Sequence, residues 1–185
     1  MHSDLPRMTN SELKDFKLIR AGAERFDDFY ALLCASFIKE ELRGRLDARA
    51  TLDNPSFLLY NIQVKGESIG YISVWRLDGF AFIEHFAVKE EMRGMGYGEE
   101  TVRALCREYG ALVLECEPRV TEIQKRRAAF YERCGFVENA VSYLQPSYGE
   151  GLCEVPLLLM SYPTVLSSPS EAIKEIYKKV YRKTV

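Results

Sequence analysis

At 185 residues, 47% hydrophobic and 28% charged, the chain has room for one globular domain and is too apolar for a disordered tract. Its 25 basic and 27 acidic residues leave a formal charge of −2, which removes the broad positive field that non-specific nucleic-acid binding needs. No run approaches the roughly 18 apolar residues of a membrane helix, so neither nucleic acid nor membrane is an expected partner.

Residues 1–15 are polar, without period and without the apolar stretch of a secretory signal, and read as a flexible lead-in. Phe16 to Ala21 alternates and ends at Gly22, as a first strand would. Phe26, Phe29, Tyr30, Leu33 and Phe37 recur at helical steps and predict a helix over roughly 24–40. The charged segment 40–54 predicts a second short helix, stopped by Asn54-Pro55. Strands follow at 57–64, 68–76 and 80–88, with hairpin signals at Lys65-Gly66-Glu67 and Asp78-Gly79. Next come a glycine-studded turn to Gly98, a helix over 99–109, a strand over 111–116 and a helix over 121–134. Phe136-Val137 and 155–160 read as the final strands, joined by a loop. Ser168-Pro169-Ser170-Glu171 predicts a capping box, and the apolar stripe Ile173, Ile176, Tyr177 and Val180 marks a terminal helix over 163–185. That stripe packs either on its own sheet or on a second copy, so monomer and homodimer both stay open.

The five cysteines (34, 106, 116, 134 and 153) are odd in number and form no CxxC pair, and there are two histidines. Reduced thiols of a cytoplasmic protein are expected, and no metal site.

The most informative residues are Arg93, Gly94, Met95, Gly96, Tyr97 and Gly98, between a strand and a helix. A helix start presents unpaired N–H groups and the positive dipole end, and glycines let the main chain approach an anion closely. The geometry favours phosphate or pyrophosphate, the alternative being a glycine-rich connection that binds no ligand. The spacing is not the G-x-G-x-x-G of dinucleotide folds, and Gly98-Glu99-Glu100 lacks the lysine of a nucleotide-triphosphate loop.

This turn resembles the Q/R-x-x-G-x-G/A element of the GNAT N-acetyltransferase superfamily, with Arg93, Gly96 and Gly98 at its fixed positions. Phe130-Tyr131-Glu132-Arg133-Cys134-Gly135-Phe136 is similar to that family's F-Y-x-x-x-G-F signature, in the right order and at the right separation. The resemblance covers residues 16–162. It implies an α+β fold (an α/β/α sandwich) with a central mixed, mostly antiparallel sheet of six to seven strands. It further implies acetyl-CoA as co-substrate, its pyrophosphate on residues 93–98 and its pantetheine arm along Phe86, Ala87 and Val88. Gln124 stands where the family often has a cofactor-holding Asn, keeping the amide on a longer stem.

The implied reaction is direct acetyl transfer to an amine, small-molecule acceptors being favoured over protein. The alternative is a CoA-binding module without transfer. Tyr131, the motif tyrosine, is the expected acid for the CoA thiolate. Glu84 is the first candidate base: an unbroken strand puts it on one face with Phe82, Phe86 and Val88, where apolar company raises a carboxyl pKa, and turns His85 away. Glu115 and Glu117 share a face of the next strand and are expected to bind the acceptor or help deprotonate it. Cys134 reads as packing, and Arg126 and Arg127 as solvent-facing charges, with CoA phosphate contact the alternative.

Overall fold

A computed structural model describes residues 15–183. Strand β1 (Phe16–Ala21) leads into helix α1 (Phe26–Ser36) and the short helix α2 (Arg45–Thr51). Strands β2 (Phe57–Val64), β3 (Glu67–Arg76) and β4 (Ala81–Val88) form an antiparallel meander. Helix α3 (Tyr97–Tyr109) crosses to β5 (Leu112–Cys116), which is followed by α4 (Glu122–Arg133). The short strands β6 (Val137–Glu138) and β7 (Tyr143–Gln145), then β8 (Val155–Tyr162) and α5 (Pro169–Lys179), complete the chain.

The sheet runs β1-β2-β3-β4-β5-β8-β6, with β7 also on β8, so it has eight strands where six to seven were expected. The addition is β7, whose three residues are too few to carry a period. All pairings are antiparallel except β4 with β5.

Alternation along the strands fills both faces. Leu59, Trp75, Phe82, Val113 and Leu159 face the layer of α1, α2 and α5; Ile72, Val74, Ile83, Leu114 and Met160 face α3 and α4. Helix, sheet and helix thus make the expected sandwich. Helix α1 stops earlier than its periodicity predicts because Phe37 turns to an extended conformation. Its ring then meets His85 edge-on, 5.2 Å between centroids.

The terminal helix packs on its own sheet. Ile176, Val180 and Tyr181 are buried in the α1 layer. Pro169 starts α5 as expected, but no capping box forms: Ser168 makes no side-chain cap, and Glu171 pairs with Lys174 instead. A complete box forms at α4, between Thr121 and Gln124.

Two irregularities of β4 create the working end of the sheet. Its register with β3 shifts so that Ser73 faces His85 and Val74 faces Ile83, leaving Glu84 as an unpaired bulge residue. Its pairing with β5 covers only Ala81–Ile83 against Leu112–Leu114. Beyond that point β5 no longer covers the β4 edge.

Candidate active site

Where β4 and β5 part, a cavity of about 750 Å³ opens, lined at one end by Arg93, Gly94, Gly96 and Gly98 and at the other by Glu41, Glu115 and Glu117. Gly94 and Gly96 have φ of 76° and 86°, conformations that side-chain-bearing residues rarely adopt. Gly96 is the N-cap of α3 and gives it no side-chain cap, so the helix's first N–H groups are available to a guest. Arg93 donates from Nε to the Val88 carbonyl (2.9 Å), fastening the turn to the end of β4. Glu99 and Glu100, which would repel phosphate, are paired with Arg103 (2.8 Å) and Arg107 (2.5 Å). Phe86, Ala87 and Val88 continue the wall along β4. This concave, glycine-built end suits the pyrophosphate of CoA.

Tyr131 on α4 also lines the cavity. Its ring sits edge-on to Phe130 (5.0 Å) and Phe136 (5.9 Å), and its hydroxyl makes no hydrogen bond among the described residues. Burial pushes its phenol above the ordinary tyrosine range, so it holds its proton at neutral pH. Burial likewise pushes the Cys134 thiol up to about 12, in keeping with packing.

The acidic end differs from the parity expectation. The bulge puts Glu84 and His85 on the same side: Glu84 contacts Trp75, His85 contacts Phe37, and His85 Nδ1 lies 3.9 Å from Glu84 Oε2. Phe86 turns the other way, onto Phe130. Glu84 therefore does not share a face with Phe86, and it is not a free base.

Glu84 Oε1 accepts from Arg43 Nε (3.1 Å), Arg43 NH2 (2.8 Å) and Tyr148 OH (2.9 Å), and Oε2 accepts from Trp75 Nε1 (2.8 Å). Burial raises this carboxyl's pKa, but the charges of Arg43 and His85 and the donors Trp75 and Tyr148 outweigh it, leaving the pKa below the ordinary value rather than above it. The side chain is only 2% exposed while the residue as a whole is half-buried, so Glu84 shows the cavity mainly its main chain. Burial pushes the His85 pKa down, and its Nε2 lies 2.9 Å from the Glu41 carbonyl oxygen.

Glu115 and Glu117 both reach the cavity, as expected. Glu117 is paired with Arg127, which lines this wall while its side chain stays 40% exposed to solvent. Glu115 accepts from Tyr143 and from Tyr181, whose hydroxyl is 2.8 Å from Oε1 and 2.7 Å from Oε2. Burial lifts its pKa to about 7 against the two phenol hydrogen bonds, helped by the negative charges of Glu84 and Glu41. Burial, then Glu117, also raises the Glu41 pKa.

The model of the acetyltransferase (GNAT) family matches residues 26–136. The chain belongs to that family. A Bacteroides thetaiotaomicron protein described as a GNAT-family acetyltransferase is 30% identical, with 91% of this chain and 99% of that one covered at a TM-score of 0.84. A chimeric spermidine N-acetyltransferase from Vibrio cholerae and hSSAT is 14% identical over 84% of this chain and 97% of its own (TM-score 0.60). The microcin C7 self-immunity acetyltransferase, solved with acetyl-CoA and AMP, is 18% identical over 82% and 93% (TM-score 0.59). These two likenesses concern the fold. Among curated proteins no match is found.

Within the GNAT framework the two sequence motifs meet across the cavity, but three of the expected cofactor residues lie outside its lining. Gln124 is spent on the α4 capping box, accepting from Thr121 N at 2.8 Å, and does not line the cavity. Tyr97 is buried with Ile62, Val64 and Ile69, and the Met95 side chain is exposed outside the wall. Both enter the turn by main chain alone.

The residues missed from sequence are Arg43, Glu41, Tyr143, Tyr148 and Tyr181. Their signals were weak: Tyr181 follows Val180 of the terminal apolar stripe, Glu41 and Arg43 lie in the charged segment 40–54, and Tyr143 and Tyr148 lie in the loop before the last strand. Among the described residues, no group of His, Cys, Asp or Glu could hold a metal ion, and no helix is long and apolar enough to cross a membrane.

Proposed function

We propose that this GNAT protein transfers the acetyl group of acetyl-CoA directly to the amine of a small cationic acceptor. The observation that carries the reading is one continuous cavity joining a glycine-built anion cradle to a carboxylate-lined wall, with Tyr131 on its lining. A negative wall attracts an ammonium group, and a spermidine N-acetyltransferase shares the fold.

The chemistry sets three demands. An alkylammonium with a pKa near ~10.4 costs about 4–5 kcal/mol to deprotonate at pH 7, so a base must take its proton. The freed nitrogen lone pair then forms the C–N bond at the thioester carbonyl, whose oxygen takes up negative charge. The main chain of Glu84, lacking a partner on β3, lines the cavity at this level. Collapse re-forms C=O and breaks C–S. The sulfur takes a proton from Tyr131, and the second proton leaving nitrogen restores the phenol.

The test follows thiol release and radiolabel transfer from acetyl-CoA across a panel of diamines, polyamines, aminoglycosides and peptides. Saturable transfer to a small amine is the expected result. Saturable acetyl-CoA binding with no acceptor on the panel would favour a binding module, and no acetyl-CoA complex would end the reading.

A further inference from the structure

We infer that Glu115 is the proton acceptor for the incoming amine, held in place by hydroxyls of Tyr143 on β7 and Tyr181 beyond α5, so that the C-terminal segment completes the active site. The inference rests on the functional reading above and assigns the base it leaves open.

Lone-pair accounting separates Glu115 from Glu84, and an ion pair sets Glu117 apart. A carboxylate offers about four acceptor sites. Glu84 has four donors on it, two from Arg43 and one each from Tyr148 and Trp75, and its side chain is closed to the cavity. Glu117 is held by Arg127. Glu115 has two donor hydroxyls, so acceptor capacity remains for a substrate N–H.

Its place on the sheet also fits. The last β4–β5 pair is Ile83 with Leu114, so Glu115 is the first β5 residue beyond the fork, level with the bulge at Glu84. Both residues line the cavity there.

The surroundings tune the group in both directions. Tyr143 from β7, Tyr181 from the C-terminal segment, Tyr148 from the β7–β8 loop, Glu84 from β4 with its Arg43, and Glu41 ahead of α2 all lie close. The carboxylates and burial favour the protonated form, and the phenols favour the ionised one. A balance near neutrality suits a general base, because it is ionised often enough to act and basic enough to accept.

Two further contacts, both to the segment 43–47, latch the C-terminal segment. Arg43 NH2 donates to the Val180 carbonyl at 2.6 Å, and Arg182 reaches Asp47 at 3.1 Å. Tyr181 is thus a positioning residue. In the transfer the ammonium N–H bond breaks, its electron pair stays on nitrogen, and the proton bonds to a Glu115 oxygen before passing to solvent.

The experiment follows kcat/KM against pH for wild type, Glu115→Gln, Tyr143→Phe and Tyr181→Phe, with acetyl-CoA affinity measured in parallel. Glu115→Gln should lose at least ~100-fold in kcat/KM and its acidic limb while still binding acetyl-CoA. Each Tyr→Phe change removes a donor to the ionised form and should move the acidic limb upward by about one pH unit. Carbon-13 titration of the Glu115 carboxyl should show the same displacement without any acceptor present. Full activity in Glu115→Gln, loss of the limb in Glu41→Gln instead, or a Glu115 titration unmoved by Tyr181→Phe would each overturn the assignment. Failure of the functional reading differs: wild type itself would bind no acetyl-CoA or acetylate no amine.

Discussion

Arg43 grips Glu84 with two nitrogens on one oxygen, Nε at 3.1 Å and NH2 at 2.8 Å, between side chains only 5% and 2% exposed. The pair joins the segment before α2 to the bulge of β4, and Arg43 also stacks over Tyr148 at 4.7 Å. It fixes the irregularity on which the cavity depends.

Breaking such a pair from one side leaves a buried charge without compensation. Arg43→Met should therefore cost about 3–5 kcal/mol of stability, with Glu84→Gln in the same background recovering part of the loss. Urea unfolding of the two single variants and the double variant at pH 7 measures this. Loss of the same amount in the double variant would mean that packing, not charge, is at stake. Because the folded pKa of Glu84 lies below its ordinary value, its contribution is present above that ordinary value and is lost as pH falls through the folded one.

The anion cradle is best probed at Gly98, where added atoms need not disturb the fold. A Cβ there would lie 3.5 Å from the rings of Phe86 and Phe130, ordinary contact, whereas Gly94 and Gly96 sit at positive φ. Gly98→Ala should keep wild-type stability. Gly98→Glu brings a carboxylate to the start of α3 and should weaken acetyl-CoA binding by at least ~10-fold, roughly 1.4 kcal/mol or more. Calorimetric titration of both variants gives the comparison, and equal affinities would place the diphosphate elsewhere.

Tyr131 should separate chemistry from binding. Tyr131→Phe keeps the edge-on contacts with Phe130 and Phe136 and removes only the hydroxyl. Turnover is expected to fall by about 100-fold, the lower end for a lost general acid, with acetyl-CoA affinity within about a factor of three. Equal losses in both would mark a packing role.

What could be read from sequence follows the range of the interactions. The glycine turn and Phe130–Phe136 were legible because their residues are near neighbours whose spacing is itself the signal. Glu84 was misplaced because counting alternate residues assumes an unbroken pleat, and a bulge is a property of two strands together. The Arg43–Glu84 and Glu115–Tyr181 contacts span 41 and 66 residues, beyond any periodicity. Among the described helices, two begin at a Ser/Thr-x-x-Glu/Gln pattern, at Thr121 and Ser168. Only the first closes, since Lys174 competes for Glu171 at the second.

Glu115 makes stability depend on pH in a direction opposite to Glu84. Its folded pKa of about 7 lies above the ordinary 4.5, so between those values the native state keeps a proton that the unfolded chain has released. Stability from this group is full below the unfolded pKa and is lost as pH rises through the folded one. The difference corresponds to about 3 kcal/mol at most, as an order of magnitude. His85, whose folded pKa is lowered, acts the other way across part of the window and blurs the wild-type curve alone. The difference between wild type and Glu115→Gln removes that contribution, because His85 is common to both. Urea midpoints taken from pH 5 to pH 8 should therefore show wild type losing stability relative to the Gln variant as pH rises. A constant offset across that range would mean that Glu115 titrates as an ordinary carboxylate and is not shielded by Tyr143, Tyr181 and the strands around it.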